Sequence, residues 1–274
     1  MGAFKTMLFW GTLIFYMITS MSNSQVKNLI LLGKKAKERR RQQVFLAEGK
    51  KMFLEAPRKL LRKVYVSESF FLEEENKNML SETEYEVLKD SVFLAVCGTR
   101  TPQGILCVIQ MPEWDLEKLL GQKDGFFLLL EGIQDPGNLG TMIRTGEGAG
   151  ITAVIASRST VDIFNPKTIR STMGSIFRVP FFSAEDFFDV IARMKEKSVK
   201  IFAAHLEGSV PYDAPDYDGS VGFLIGNEGN GLTEEAAALA DTCIRIPMEG
   251  NVESLNAAVA AAVLMYEANR QRKG

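Results

Sequence analysis

The chain has 274 residues, of which 46% are hydrophobic and 24% are charged, so it is long enough and apolar enough to bury one or two globular cores. This composition excludes a wholly disordered chain. The three cysteines are odd in number, widely spaced and never arranged as C-x-x-C, which argues against a disulfide framework or a metal site and fits a reducing cytosol.

The charges are unevenly distributed, although the formal net charge is only −2. Residues 23–66 contain thirteen Lys or Arg and three Glu, a net charge of +10, whereas residues 67–274 contain 18 basic and 31 acidic residues, a net charge of −13. A concentrated positive charge attracts polyanions through its local field. The basic region therefore favours a nucleic-acid partner, and the alternative is a solvated helix face.

The first residues resemble neither a complete membrane span nor a complete signal peptide. Residues 7–18 form an apolar run of about a dozen residues, short of the ~20 that a membrane-spanning helix needs. Lys5 precedes the run, but no clear small-x-small cleavage site follows it. We expect residues 1–22 to be an N-terminal extension, with residues 1–16 an over-called start or a disordered segment, and we expect no stable membrane association.

Residues 23–112 alternate between helical and strand-like patterns. A basic helix is predicted in residues 23–47 and a charged helical stretch in residues 73–90. Short apolar runs predict strands at residues 63–67, 92–98 and 105–112. Such alternation predicts a small α/β domain. The polar residues 113–124 predict a linker.

Residues 125–274 alternate more strictly. Short, wholly apolar runs are typical of parallel strands that are covered on both faces, and they lie at residues 125–131, 152–156, 199–204, 221–226 and 243–247. Helices are predicted between and after them, at residues 138–148, 166–173, 184–197, 233–240 and 254–270. The sequence thus predicts an α/β fold with a parallel sheet in this half of the chain.

Three loops that follow apolar strands carry the informative motifs. They read GIQDPGNLGTMIRTGEGAG at 132–150, GFLIGNEGNGL at 222–232 and IRIPMEGNVESLNAAVAAAVLMYE at 244–267. Open α/β folds bind ligands at the carboxyl ends of their strands. The glycine spacing G-x-x-G-x-G is not the dinucleotide fingerprint, and no P-loop motif occurs.

Taken in this order, the motifs resemble those of the SpoU/TrmH-type RNA ribose 2′-O-methyltransferases of the SPOUT superfamily. AEGKKMFLEA (47–56) and TPQGILCV (101–108) resemble pieces of the ribosomal-protein-like substrate-binding domain of this family. The resemblance implies a SPOUT catalytic domain at residues 125–274 with a deep trefoil knot, after an RNA-binding domain at residues 23–112. It also implies a cytoplasmic homodimer that methylates structured RNA, with 23S ribosomal RNA preferred and transfer RNA as the alternative.

The resemblance also implies the cofactor and its contacts. S-adenosylmethionine would be held, mainly by main-chain groups, at Gly226, Asn227, Glu228, Gly229, Ile246, Pro247, Met248, Leu255 and Asn256. The family's catalytic positions correspond to Arg144, Asn138, Glu228, Ser254 and Asn256. Ala257 and Ala258 follow Asn256, where the family pattern commonly has a serine two residues on.

Each catalytic candidate also has a structural alternative. Asn138 follows a Pro-Gly turn and is a candidate helix cap, as is Ser254. Glu228 is expected to orient Asn138 and Arg144. The structural alternative for Arg144 is a salt bridge or a phosphate contact. In the role that the resemblance implies, Arg144 would activate the ribose hydroxyl; because a guanidinium has a pKa above about 12, it would do so either as a perturbed base or by stabilising the alkoxide.

The basic helix supplies the candidate RNA contacts, which position RNA without reading its sequence. They are Lys34, Lys35, Lys37, Arg39, Arg40 and Arg41. A non-catalytic RNA-binding SPOUT protein is a second hypothesis. An NAD-dependent enzyme is a third, but its fingerprint is missing. His205 is the only histidine, so hydrolase triads lack support.

Overall fold

The computed structural model describes residues 5–10, 13–207, 209–252 and 254–274. Residues 1–4 and 11–12 of the predicted N-terminal extension lie outside the described residues. The strands are β1 (Lys5–Trp10), β2 (Leu13–Ile18), β3 (Val44–Glu48), β4 (Leu61–Ser67), β5 (Tyr85–Leu88), β6 (Ile105–Gln110), β7 (Phe126–Leu130), β8 (Ala153–Ser157), β9 (Phe181–Ala184), β10 (Lys200–Ala204), β11 (Val210–Pro211), β12 (Val221–Ile225) and β13 (Thr242–Arg245).

The helices of the same residues are α1 (Ser24–Lys34), α2 (Ala36–Gln42), α3 (Lys50–Glu55), α4 (Glu68–Leu72), α5 (Glu74–Leu80), α6 (Asp90–Cys97), α7 (Leu116–Leu120), α8 (Pro136–Ala149), α9 (Pro166–Thr172), α10 (Phe187–Glu196), α11 (Glu234–Ala238) and α12 (Ala257–Lys273). None of these helices is both long and apolar enough to cross a membrane.

The first of two compact units, the N-terminal unit, comprises Met1–Pro112 and Phe164–Gly174. Its mixed sheet has the strand order β1-β2-β5-β4-β6-β3. Helices α1 and α6 contribute apolar side chains to the core on this sheet, where Leu29, Phe93 and Leu106 are buried. Helix α9 therefore groups with a part of the chain that lies far from it in sequence.

One predicted strand of this unit is wrong, because residues 92–98 lie almost entirely in helix α6. Val92, Phe93 and Val96 are buried whereas Leu94 is exposed, which is the spacing of one helix face. Gly98 ends the helix in the left-handed conformation. A short apolar run does not distinguish a strand from a helix by its composition alone.

The single basic helix predicted for residues 23–47 is also divided. Lys35 is extended between α1 and α2, and residues 44–48 form strand β3. The predicted charged helical stretch contains α5 but ends in strand β5. The prediction failed here because the charged run of residues 34–41 continues across the break at Lys35, and the short apolar run of β3 was included in the helix.

The C-terminal unit comprises Glu113–Ile163 and Ser175–Gly274. Its seven strands are paired in the order β11-β13-β10-β12-β7-β8-β9, and every pairing is parallel. Every residue of β7, β8 and β12 is buried. The predicted α/β fold with a parallel sheet is confirmed, while the trefoil knot implied by the family resemblance stays a prediction.

Two predicted helices of this unit start later than expected. Residues 181–184 form strand β9, and Asp186 caps α10 by accepting a hydrogen bond from the Asp189 N–H. Helix α12 starts at Ala257 rather than at Ser254. Both loops before these helices follow strands, so the polar residues there belong to the edge of the sheet.

Candidate active site

Two loops at the carboxyl edge of the parallel sheet meet at Glu228, the one predicted catalytic residue that lies within them. Residues 131–135 connect β7 to α8, and residues 226–233 connect β12 to α11. Asp135 caps α8 by accepting a hydrogen bond from the Asn138 N–H at 2.9 Å, and Pro136 begins the helix. The alternative that Asn138 is the cap is wrong, so its side chain is available to reach across to the second loop.

Glu228 holds the two loops together through its carboxylate. Oε1 accepts hydrogen bonds from the Asn138 Nδ2 at 3.0 Å and the Asp135 N–H at 3.1 Å, and Oε2 accepts one from the Gln134 N–H at 3.0 Å. Burial raises the pKa of Glu228, but these three donors outweigh it and bring the pKa below its ordinary value. At neutral pH Glu228 is therefore an ionised acceptor that holds Asn138 and the two loops by hydrogen bonds.

The hydrogen bonds continue from Asn138 to the start of the last helix. Asn138 Oδ1 accepts a hydrogen bond from Asn256 Nδ2 at 3.1 Å. Asn256 Oδ1 in turn caps α12 by accepting hydrogen bonds from the Ala258 and Val259 N–H groups. The cap of α12 is thus Asn256, and the alternative that Ser254 is the cap is wrong. We call Glu228, Asn138 and Asn256 the polar network.

Two further side chains hold the loop that follows β12. Glu131 accepts hydrogen bonds from Thr233 through both its N–H, at 2.9 Å, and its Oγ1, at 2.8 Å. Asn227 donates to the Gly132 carbonyl at 2.8 Å and accepts from the Gly229 and Asn230 N–H groups. Sequence reasoning missed the role of Glu131, although an acid at the end of a wholly apolar strand was a usable signal.

A large cavity of about 860 Å³ opens beside this loop. Its walls come from the ends of β10, β12 and β13, from Ser254 and Leu255, and from α12. Gly226 lines it, and a Cβ at this position would overlap the backbone of Gly231 and Leu232, so only glycine fits. The volume lies within the roughly 300–1,000 Å³ of sites that enclose drug-sized ligands.

The lining of the large cavity fits a cationic ligand with an apolar part. Three acidic residues line it: Glu207, Glu228 and Glu234. Among the described residues that line this cavity, Arg245 is the one Lys or Arg. The sulfonium and ammonium groups of S-adenosylmethionine suit such acidic walls. Of the predicted cofactor contacts, those that line the cavity are Gly226, Asn227, Glu228, Gly229, Ile246, Met248 and Leu255, while Pro247 and Asn256 do not.

A second cavity of about 440 Å³ adjoins the first. Glu228, Ser254, Leu255 and Ala257 line both cavities. The other residues of the smaller cavity are Gln134, Asp135, Asn138 and Asn256. The structure therefore brings together four of the five predicted catalytic residues, with the polar network along the boundary between two adjoining spaces.

Arg144 is the predicted catalytic residue that lies apart. It lines neither cavity and its side chain is exposed, and it has no ion pair with any described residue. Six residues of α-helix are about 1.7 turns, so α8 presents Arg144 and Asn138 on different faces. Glu147, the nearest acid along the helix, binds Arg178 instead, which leaves the salt-bridge alternative for Arg144 without support.

The predicted RNA contacts divide into two kinds. Residues 34–41, which we call the basic segment, include exposed Lys34, Lys35, Lys37, Arg40 and Arg41. Arg41 binds Glu38 at 2.8 Å. Arg39, by contrast, is only 3% exposed and donates to the Leu32 carbonyl at 2.6 Å, so it stabilises the junction of α1 and α2 and does not belong to an RNA-facing surface.

Comparisons with known proteins agree with this arrangement. Residues 125–266 match the SpoU rRNA Methylase family, and residues 23–107 match the MRM3-like substrate binding domain. The 23S rRNA (guanosine(2553)-2′-O)-methyltransferase RlmP of Bacillus subtilis (strain 168) is 36% identical to the chain over 252 residues, which are 91% of this chain and 97% of that protein.

Two solved structures with a bound donor are also similar. The AdoMet-bound rRNA methyltransferase from Sinorhizobium meliloti is 32% identical, with a TM-score of 0.80 over 93% of this chain and 97% of that one. The SpoU methyltransferase AviRb from Streptomyces viridochromogenes, in complex with the cofactor AdoMet, is 26% identical, with a TM-score of 0.83 over 92% of this chain and 99% of that one.

Proposed function

Because the chain belongs to the SpoU rRNA Methylase family, we propose that it transfers a methyl group from S-adenosylmethionine to a ribose 2′-hydroxyl of 23S ribosomal RNA. The observation that carries the proposal is the pair of adjoining cavities that share Glu228, Ser254 and Leu255. The large one suits the donor and the small one suits a ribose. The match to a substrate-binding domain at residues 23–107 and the basic segment support an RNA substrate.

The residues of the chain have distinct roles in this reaction. When bound, S-adenosylmethionine would supply an electrophilic methyl group on a sulfonium; the ribose oxygen would take this methyl as the carbon–sulfur bond breaks to leave a neutral thioether, and the hydroxyl proton would pass to the activating base or to water. The large cavity holds the donor through the loops after β12 and β13. Asn138 is fixed by Glu228 on one side and Asn256 on the other, so its amide is held at the edge of the ribose space.

Arg144 is proposed to activate the hydroxyl or stabilise the alkoxide. Because it is exposed and lines neither cavity, it needs a neighbouring molecule that brings it next to a bound ribose. Its exposed position on α8 allows it to reach a second molecule. We propose a homodimer in which the α8 and α12 surfaces pack against a second copy. Val259 and Tyr266 support this proposal, because both are about half exposed and lie seven residues apart on α12.

The experiment that tests the function uses the purified protein, S-adenosylmethionine with a tritiated methyl group, and separate transcripts of 23S rRNA and tRNA. We expect label in 23S rRNA that resists alkaline hydrolysis, since a 2′-O-methyl blocks cleavage of the adjacent bond. Because the Bacillus subtilis relative is named for guanosine 2553, we propose the equivalent guanosine as the target. Label only in tRNA would favour the tRNA alternative, and donor binding without turnover would favour a non-catalytic RNA-binding protein.

The cellular location and the assembly follow from the same proposal. A ribosomal RNA substrate places the protein in the cytoplasm of a bacterium. Light scattering at micromolar concentration is expected to report twice the mass of one chain. The double variant Val259→Lys with Tyr266→Glu is expected to have the mass of a single chain. A single-chain mass for the unaltered protein, with full activity, would contradict the dimer.

A further inference from the structure

The N-terminal unit contains a third cavity that the proposed reaction does not use. It measures about 240 Å³ and is lined by the last turns of α1 and α6, by strands β3 and β6, and by the start of α9. All of these elements belong to the N-terminal unit. The volume is just below the roughly 300–1,000 Å³ of sites for drug-sized ligands, so it suits one planar base rather than a whole dinucleotide or cofactor.

The walls of this cavity combine an apolar floor with one anionic acceptor. Leu46, Val96 and Leu106 are buried apolar residues that line it. Glu48 also lines it, and its carboxylate is held in place by the Gln103 N–H at 3.0 Å and by the Thr99 hydroxyl at 3.2 Å. A carboxylate offers about four lone-pair sites, so Glu48 retains capacity for a donor from a ligand.

Cations surround the same space. Lys34, Lys167 and Arg170 line the cavity and are exposed. Within the described ranges, neither Lys34 nor Arg170 forms an ion pair. Lys34 is also the first residue of the basic segment, so the cavity lies at one end of the surface that we propose to follow the RNA phosphates. Two cations beside an apolar floor complement a phosphate and a base of the same nucleotide.

We propose that this cavity takes one unpaired base of the RNA substrate, with Lys34 and Arg170 at its phosphates and Glu48 accepting a hydrogen bond from an amino or imino group of the base. The proposal rests on the proposed function, because it assumes an RNA substrate. Sequence-specific recognition of RNA mostly targets unstacked bases of loops and bulges, whose edges the protein contacts by hydrogen bonds. A free nucleotide has the same chemistry, so the test must separate the two ligands.

Cys97 gives the cavity no reactive group of its own. It lines the cavity, and its pKa is raised chiefly by burial and further by Glu48, although Arg170 acts in the opposite direction. The thiol therefore stays protonated at neutral pH and is a poor nucleophile. The cavity is equipped for binding and not for covalent chemistry.

Gly33 offers a matched pair of variants. A Cβ at this position of α1 would lie 3.9 Å from Leu46 Cδ1 and 4.0 Å from the Val96 carbonyl, which are ordinary contacts. Gly33→Ala therefore adds one methyl group at the wall, whereas Gly33→Met extends into the cavity. Both changes replace a helical glycine with a better helix former, so both variants are expected to fold, and melting temperatures will check this.

The test uses the full chain, a short single-stranded RNA with one 4-thiouridine, ultraviolet cross-linking and mass spectrometry. We expect cross-links within residues 30–34, 95–98 or 165–170. Gly33→Ala is expected to keep these cross-links and the RNA affinity, while Gly33→Met loses the cross-links and weakens binding several-fold. Lys34→Gln with Arg170→Gln is expected to weaken binding and to reduce its salt dependence, which keeps the test decisive if Gly33→Met is unstable.

Three results would overturn the proposal. The first is a folded Gly33→Met protein that binds and cross-links like the unaltered chain. The second is cross-links that map only to other residues. The third is uridine 5′-monophosphate binding as tightly as the RNA, which marks a free-nucleotide site. Methyl transfer to 23S rRNA is measured in the same preparations. Its absence with intact cross-links defeats the proposed function alone, and its presence without them defeats only the cavity.

Discussion

The polar network and the basic segment use their polar side chains in opposite ways. In the polar network, Glu228 accepts three hydrogen bonds, one of them from Asn138, and Asn138 in turn accepts one from Asn256. In the basic segment, exposed cations such as Lys35 and Arg40 form no ion pair within the described ranges. Fixed donors and acceptors suit one small ligand in one orientation, whereas unpaired cations suit a polyanion whose backbone is the same everywhere.

Two arginines, one beside the polar network and one in the basic segment, depart from this contrast. Arg144 lies on the same helix as Asn138, yet it is exposed and has no ion pair with a described residue. Arg39 lies between exposed cations, yet it is buried and bonded to the backbone. Position in a motif and position in a charge run therefore do not decide what an arginine does, and the predictions below use these two exceptions.

Arg144→Ala is expected to have the largest effect. Removing a group that stabilises developing charge costs roughly 100- to 1,000-fold in turnover, and we expect that loss with donor affinity changed by no more than a few-fold. Single-turnover kinetics and calorimetry measure the two quantities. A variant with full turnover would show that Arg144 has no part in the reaction and that its exposure reflects a surface role.

Glu228→Gln is expected to reduce turnover by about tenfold to a hundredfold. A neutral amide offers one acceptor oxygen to three donors, all in exposed hydrogen bonds, so it cannot hold Asn138 in the same orientation. The affinity for S-adenosylmethionine should change less, because Glu228 orients Asn138 on the ribose side. Glu235→Gln on α11 is the control, since that exposed carboxylate lines neither cavity. Equal kinetics for the two variants would contradict the polar network.

Arg39→Met and Arg40→Met form a matched pair in the basic segment. Arg39→Met leaves the Leu32 carbonyl without its buried partner, so we expect a loss of about 1–3 kcal/mol in the free energy of unfolding. Arg40→Met is expected to stay within about 0.5 kcal/mol, as exposed substitutions usually do. Urea unfolding measures the free energy of unfolding of both variants. Similar values would mean that Arg39 does not stabilise the fold.

Neutralising the exposed cations is expected to change RNA binding without changing stability. Each lost phosphate contact lowers the magnitude of the slope of log affinity against log salt by about 0.7 to 0.9, so a variant with four substitutions should lower it by up to about 3.6. The variant replaces with glutamine the residues Lys34, Lys35, Lys37 and Arg40. The control replaces three exposed lysines of the C-terminal unit, Lys118, Lys123 and Lys200. An equal change of slope in the control would remove the special role of the basic segment.

The smallest expected effect is a pH dependence from Glu228. Its pKa is lowered in the fold, so the stability that it contributes is present above its ordinary pKa of about 4.5 and is lost as the pH falls through the lowered value. The difference in melting temperature between the unaltered protein and Glu228→Gln should therefore be constant from pH 8 to about 5 and shrink in stronger acid. A difference in melting temperature that grows on acidification would contradict a lowered pKa of Glu228.

The sequence predicted the parallel sheet because its strands are buried on both faces and read as short apolar runs. Residues 126–130 and 221–225 are such runs. The same rule failed at α6, whose apolar residues on one helix face also form a short run. Element type therefore followed from composition where both faces are covered and not where a short helix packs on one side of a sheet.

The sequence identified which residues belong to the site but not which hydrogen bonds they form. The motifs identified Asn138, Glu228 and Asn256, and the structure joins them. Which residue caps each helix was not readable, because Asp135 and Asn138 are both good caps at neighbouring positions. Arg39 and Arg40 are likewise identical in type, and only the break in the helix at residue 35 decides which one is buried.

A crystal structure of the protein grown with S-adenosylmethionine is the decisive experiment. We expect density for S-adenosylmethionine in the cavity beside Gly226 and Leu255, with its methyl group facing the smaller space at Asn138 and Ser254. Density elsewhere on the chain, or an empty cavity under conditions where calorimetry shows saturation, would contradict this expectation.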